Sequence, residues 1–303
     1  MCGVFRYSLG YNKSVNPLLF VFGAALGSFI NVLAVRYDSK RFIFDAHSIG
    51  GRSHCPTCSN VLRWFELVPI LSFLFQRGRC RRCKSRISVQ YLIVELLAGL
   101  ICVFVPWRIS AMGGPASGGQ FLISNYFYPA LWVLVFLTLL LVVLIDKRLY
   151  IIPDEANIFL GFMGAVTTFF VALRGEIANT SFVGQYALIF GFPKNVWINH
   201  ILAACAAGVI FALIIGITRG KGMGMGDLKL VIPLGLMFGW PDIILVIALS
   251  FVIGALYGAC AIAAGKKNLK SALPFGPFLA FAAVIIFFWG QEVISWYMRA
   301  LGV

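Results

Sequence analysis

The sequence predicts an all-α polytopic membrane protein of about eight transmembrane helices, with one small cytoplasmic loop domain built around a cysteine cluster. Three observations carry this. Of the 303 residues, 60% are hydrophobic and only 12% charged, about half the charged fraction of a soluble domain. Apolar stretches recur that are long enough to cross roughly 30 Å of hydrocarbon at about 1.5 Å per residue. They run continuously rather than alternating, which argues against a transmembrane β-barrel. Finally, the one long polar interval, 36–88, holds four of the eight cysteines as two C-x-x-C pairs.

Taken in order, the chain divides into 1–35, an N-terminus and first transmembrane helix; 36–88, the loop domain; 89–124, a second transmembrane helix and outer linker; and 125–303, a six-helix core. The start, "MCGVFRYSLGYNKSVNP", lacks the basic patch, short apolar run and small-residue site of a cleavable signal peptide. Spans are expected at 17–35, 89–106, 125–145, 155–173, 196–218, 228–240, 242–264 and 273–297, with the pair around Pro241 the weakest because 228–240 is short. Small residues in "GAALGS" (23–28) and through 203–208 permit close helix–helix approach. The linker "WRISAMGGPASGGQFLIS" (107–124) and the partly apolar loop 174–195 fall on the outer face.

The formal charge of +14 is concentrated in 36–88, 146–154, 219–227 and 265–272. Eight crossings put these segments on one side, which the positive-inside rule makes cytoplasmic. Charge so placed sets topology and meets the anionic lipid bilayer, so no nucleic-acid partner is expected.

Cys55 and Cys58 form one C-x-x-C pair, and Cys80 and Cys83 another. Four thiolates close a tetrahedron around Zn²⁺ with no open position for chemistry, so the expected site is structural. It would fold a loop too small to build a core of its own. A disulfide or redox role is the rival, disfavoured by cytoplasmic placement and by the presence of two pairs where one would serve. His47 and His54 are superfluous beside four cysteines, and Cys2, Cys102, Cys205 and Cys260 read as small apolar residues.

Two aspartates stand at the expected cytoplasmic ends of spans. Asp146 follows "LWVLVFLTLLLVVLI" and opens "DKRLYIIPD"; Asp227 closes the glycine run in "GKGMGMGDLKL". Boundary carboxylates are costly and point to function by default. Each alone also has an ordinary reading, Asp227 as a helix cap and Asp146 as a solvated charge near Lys147 and Arg148. Together they can share one proton and divide general-base and general-acid work on a water. Gly222, Gly224 and Gly226 permit positive φ and close approach of a second backbone, so an extended substrate could lie beside Asp227. Asp154, after Pro153, reads as a helix-start residue, while Asp242, Glu176 and Glu292 fall on the far side. Neither a phosphate loop nor a dinucleotide fingerprint fits the glycine spacing.

These residues resemble the prepilin peptidases, the type IV leader peptidases of bacteria. The resemblance is ordered through "GSFINVLAVR" (27–36), "RSHCPTC" with "RGRCRRCKSRIS", "QYLIVELLAG" (90–99), "DKRLYIIPD", "GMGMGDLKL" and "PFGPFLA" (274–280). It implies that Asp146 and Asp227 are the catalytic pair of an intramembrane aspartic protease of the bacterial inner membrane. Arg148 departs from the pattern, since many relatives carry an acidic residue there.

The resemblance further implies cleavage of basic leaders from type IV prepilins and type II secretion pseudopilins at the cytoplasmic boundary. The cysteine domain goes with forms that also N-methylate the new terminus using S-adenosylmethionine. Gly224, Gly226, Lys229, Asn31 and Arg36 lie within the matching motifs, and Glu66 and Glu95 are candidates for contact with the amine or cofactor. Asp154 and Glu155 are candidates to face a positive leader. The residues themselves leave open a peptidase without methylation, or a non-enzymatic assembly or transport protein.

Overall fold

The computed structural model describes residues 16–45, 49–112, 122–174, 181–184, 186–187, 191, 195–220, 222–265, 273–300 and 302. The segment 1–15 with Cys2, His47, linker residues 113–121, Glu176, Lys194, Lys221, Lys266, Lys267 and Lys270 lie outside the described residues. Nine α-helices are described: α1 Asn16–Arg36, α2 Leu71–Phe75, α3 Val89–Met112, α4 Leu122–Leu149, α5 Asp154–Arg174, α6 Val196–Thr218, α7 Met225–Phe238, α8 Asp242–Ala263 and α9 Gly276–Ala300. Among the described residues there is no β-strand beyond two isolated bridges, His54 with Val61 and Arg79 with Arg86.

Every span expected from the sequence is a helix, and seven are long and apolar enough to cross a membrane. The exception is α7, whose 14 residues reach only about 21 Å at the usual rise. The second span does not stop at Pro106: α3 continues to Met112, and the Ser110 hydroxyl donates to the Pro106 carbonyl at 2.9 Å.

The described residues form two compact units, one drawn from Met1–Gln120 and Trp132–Leu144, the other from Phe121–Leu131 and Ile145–Val303. In the first, α1 and α3 lie antiparallel in close contact. A Cβ added at Gly23 would stand 2.6 Å from the Ala98 carbonyl oxygen, and one at Gly27 would stand 2.7 Å from the Ala98 Cβ and 2.8 Å from the Val94 carbonyl oxygen. In hydrocarbon, helices gain little from burying apolar surface, so association depends on such close van der Waals fit. At the end of α1, Arg36 donates to the carbonyls of Gly50 (2.5 Å) and Arg52 (3.4 Å), which ties the loop domain to its helix.

In the second unit α7 is central. Leu230, Val231 and Leu234 are fully buried, and a Cβ at Gly235 would fall 2.5 Å from the Ala204 Cα in α6. The far end of α7 is closed by side chains. The Leu236 carbonyl accepts the Thr168 hydroxyl at 2.9 Å and lies 2.8 Å from the His200 Nδ1. The Asn199 amide accepts from the Trp240 N–H (2.9 Å) and donates to the Trp240 carbonyl (3.1 Å). Gly239 turns the chain with φ +71, where a Cβ would strike the Asn199 oxygen at 2.7 Å. Asp242, wholly buried, accepts from the Ser181 hydroxyl and the Phe182 N–H, both at 2.8 Å. It is a satisfied structural carboxylate at the end of the unit opposite Asp227.

Gly27→Val tests the α1–α3 fit. Overpacking of this kind is expected to lower stability by about 1–3 kcal/mol, read as a lower midpoint of thermal unfolding in detergent. An unchanged midpoint would show that the helices do not pack this closely.

Candidate active site and metal centre

The last turn of α4 carries Asp146. The helix stops at Leu149, where Tyr150 takes the left-handed conformation (φ +57) and returns its N–H to the Asp146 carbonyl at 2.8 Å. Residues Ile151 to Pro153 then lead into α5, with Asp154 its first residue. A carboxylate in the last turn of its own helix faces the negative end of that macrodipole. Asp146 is buried at 4% exposure, and its Oδ2 accepts the N–H of Gly276, the first residue of α9, at 3.1 Å. The N-terminus of α9 thus supplies the donor and favourable dipole that α4 cannot.

Asp227 occupies the first turn of α7, 8% exposed, and its Oδ2 accepts the Gly224 N–H at 3.2 Å. Ile152 joins the pieces. A Cβ at Gly226 would lie 3.3 Å from the Ile152 Cβ, and one at Gly276 would lie 3.4 Å from the Ile152 Cδ1. The segments around Asp146, Asp227 and Gly276 therefore converge on one side chain, and the charge of Asp146 bears electrostatically on Asp227. Gly276 and Ile152 received no role from sequence reading. The usable signal was a glycine at a helix start, inside "PFGPFLA".

Positive φ falls at Arg219 (+49) and Gly220 (+72), which end α6, and not at Gly222, Gly224 or Gly226. Gly224 is extended (φ −83, ψ 153). A Cβ at Gly226 would crowd Ile152, whereas a Cβ at Gly224 would meet only the Asp227 Oδ2 at 3.5 Å and the Gly226 N at 3.9 Å. Clearance beside Asp227 therefore lies at Gly224.

Lys229 and Asp154 form a two-pronged ion pair, with Nζ 2.8 and 3.0 Å from the two carboxylate oxygens. Both side chains are at least half exposed, so the pair contributes about 0–1 kcal/mol. Its effect is to tie the two aspartate motifs together and to engage Asp154. Glu155 follows in the first turn of α5, partly exposed.

In the loop domain Cys55, Cys58, Cys80 and Cys83 bring their sulfurs within 4.8 Å of one another. Two knuckles with matching backbones hold them. The Cys55 N–H donates to Asn60 and the Ser59 N–H returns to Cys55; the Cys80 N–H donates to Ser85 and the Lys84 N–H returns to Cys80. Ser59 and Lys84 both have positive φ, +52 and +59. The Cys55 and Cys83 sulfurs are 3.8 Å apart, and Zn–S bonds near 2.3 Å give tetrahedral edges of about 3.8 Å. The donor chemistry fits as well. Backbone N–H groups of Cys58 and then Thr57 hold the Cys55 thiol down to about 6, and the Ser85 hydroxyl holds Cys83 below its ordinary value. The Asn60 N–H acts to lower Cys58, but burial and the neighbouring cysteines push it up to about 11, as expected where close thiols compete for a proton that a bound cation would displace. These four residues would hold Zn²⁺ as thiolates.

The remaining candidates shape the first unit. Glu66 accepts the Arg63 N–H at 2.8 Å. Glu95, buried on α3, accepts the Ile70 N–H at 2.7 Å, where Ile70 sits at φ +63, ψ −55. A β-branched residue there is strained, and the Glu95 carboxylate holds it. The Asn31 Oδ1 accepts from the Gln90 Nε2 at 3.0 Å, linking α1 to α3. Glu95 is also hydrogen-bonded by the Ser28 side chain.

Comparison with known proteins gives two family matches: the bacterial peptidase A24 N-terminal domain over residues 21–109 and the type IV leader peptidase family over 133–259. A prepilin leader peptidase/N-methyltransferase of Bacillus subtilis is 34% identical over 287 residues, covering 94% of this chain and 99% of that protein. One from Pseudomonas putida is 30% identical over 306 residues, covering 93% of each, and one from Aeromonas salmonicida is 29% identical, covering 94% of each. No solved structure matches.

Purified protein is expected to contain about one Zn²⁺ per chain, lost in Cys55→Ser, by elemental analysis. Full zinc content in that variant would move the metal elsewhere.

Proposed function

The chain belongs to the type IV leader peptidase family, and from that membership we propose that it cleaves the basic leader from type IV prepilins and type II secretion pseudopilins, then N-methylates the residue so exposed. It is an aspartic endopeptidase joined to a methyltransferase, in a multi-pass protein of the bacterial inner membrane. The observation that supports the two-aspartate reading is the convergence of Asp146, Asp227 and the Gly276 N–H around Ile152.

In this reading one aspartate, ionised, takes a proton from a water as its oxygen attacks the scissile carbonyl. The other, protonated, gives its proton to the leaving nitrogen as the C–N bond breaks, so the pair ends with the roles exchanged and one proton still shared. The Gly276 and Gly224 N–H groups hold one oxygen of each carboxylate, leaving the others to face water and substrate. The basic segments favour a cytoplasmic position for this end of the second unit. A prepilin, an apolar helix behind a positive leader, would enter from the bilayer with its cleavage site level with the aspartates. Lys229 already engages Asp154, so Glu155 is the better contact for the leader.

Zinc would organise the loop domain and take no part in cleavage. S-adenosylmethionine, when bound, supplies the methyl group; Glu66 and Glu95 are the carboxylates of the first unit that would hold the amine or the donor.

Asp146→Asn and Asp227→Asn are each expected to lower cleavage of a membrane-inserted prepilin by about 10²-fold to 10⁴-fold or more, with insertion and zinc content unchanged. Full cleavage by either variant would remove that residue from the dyad. Gly276→Ala sets a Cβ 2.7 Å from the Asp146 Oδ2 and is expected to reduce kcat by about 10² with little change in KM; a wild-type kcat would contradict the positioning role. Mass spectrometry of the mature product is expected to find a methylated N-terminus only when S-adenosylmethionine is supplied. An unmodified product in its presence would leave a peptidase alone.

A further inference from the structure

The loop domain exposes apolar surface that neither the aspartate site nor the cysteine cluster uses. Trp64 and Phe75 are each 79% exposed, Leu74 58%, Leu71 52% and Leu67 42%. Their placement is ordered. Leu71, Leu74 and Phe75 fall at i, i+3 and i+4 of α2, on one face. The Trp64–Glu66 turn packs against α2. Phe65 is engaged within the domain, under the Arg81 guanidinium at 5.1 Å, and Trp64 meets it edge-on at 5.8 Å. The neighbouring tryptophan is left facing outward beside the α2 stripe. Contiguous exposed apolar surface of this kind marks an interaction site.

Its surroundings identify the partner. Arg63 precedes the apolar segment and Arg77, Arg79, Arg81, Arg82 and Arg86 follow it, all exposed. The one carboxylate within the segment, Glu66, is bonded to the Arg63 N–H. The chain enters the domain from α1 and leaves it into α3, two helices apolar and long enough to span, so the domain is held at a membrane surface by both ends. An apolar face with a tryptophan, bordered by cations, matches the headgroup and acyl boundary of an anionic bilayer. We infer that the face of Trp64, Leu67, Leu71, Leu74 and Phe75 lies in the interface of the anionic bilayer that the chain spans, with the flanking arginines on lipid phosphates.

This goes beyond the enzymatic reading and does not rest on it; leader cleavage measured in the same particles reports the active site separately. The test places the full chain in nanodiscs of anionic phospholipid brominated on the acyl chain. Trp64 emission is taken as the difference between the wild type and Trp64→Phe, since the chain has seven tryptophans. That difference is expected to fall by about half or more with brominated lipid and to resist aqueous acrylamide. Leu74→Asp with Phe75→Asp, at full zinc content, is expected to restore it and admit acrylamide. Trp64 emission untouched by brominated lipid and quenched by acrylamide would overturn the inference. Protection from acrylamide that appears only on adding prepilin would overturn it too, assigning the face to substrate.

Discussion

A carboxylate buried at the end of an apolar helix persists only if something other than water answers it, and the second unit is arranged around that requirement. Asp146 is answered by the first N–H of α9 and Asp227 by the start of its own helix, α7. Both acids therefore sit at positive helix ends, though one of them belongs by sequence to a negative end. Ile152 fills the space between and fixes the approach of the three segments to a side chain's width. An Asp146 held only by α4 would be free to turn into solvent.

Small residues do the corresponding work elsewhere. Gly23 and Gly27 bring α1 onto α3, and Gly235 brings α7 onto Ala204. Polar side chains then satisfy the backbone where helices stop. Asn199, Thr168 and His200 close the far end of α7, and Arg36 and Glu95 tether the loop domain. The loop domain builds little core of its own, so its order rests on these tethers and on the four cysteines.

Much of this was legible in the sequence where a residue is costly enough to announce itself. Asp146, Asp227 and the paired cysteines stand out against an apolar background, and continuous apolar runs gave the helices to within a few residues. What escaped depends on contacts between distant segments. Gly276 is bonded to a carboxylate 130 positions earlier, which no local pattern encodes. Gly226 lies against Ile152, a neighbour its motif could not name, because a glycine signals clearance without saying for whom. The helix through Pro106 escaped for a related reason: a proline marks a helix end in water more reliably than in a membrane.

The shortness of α7 has a bearing on water. Its 14 residues cover about 21 Å, whereas the hydrocarbon is about 30 Å thick, so its two ends cannot both reach the headgroup levels of an undeformed bilayer. The mismatch is met where α7 begins or where it ends, by a thinned leaflet or a wetted recess. If it falls at the start of α7, the buried Asp227 stands below the lipid surface, and bilayer thickness becomes a control on how water reaches it.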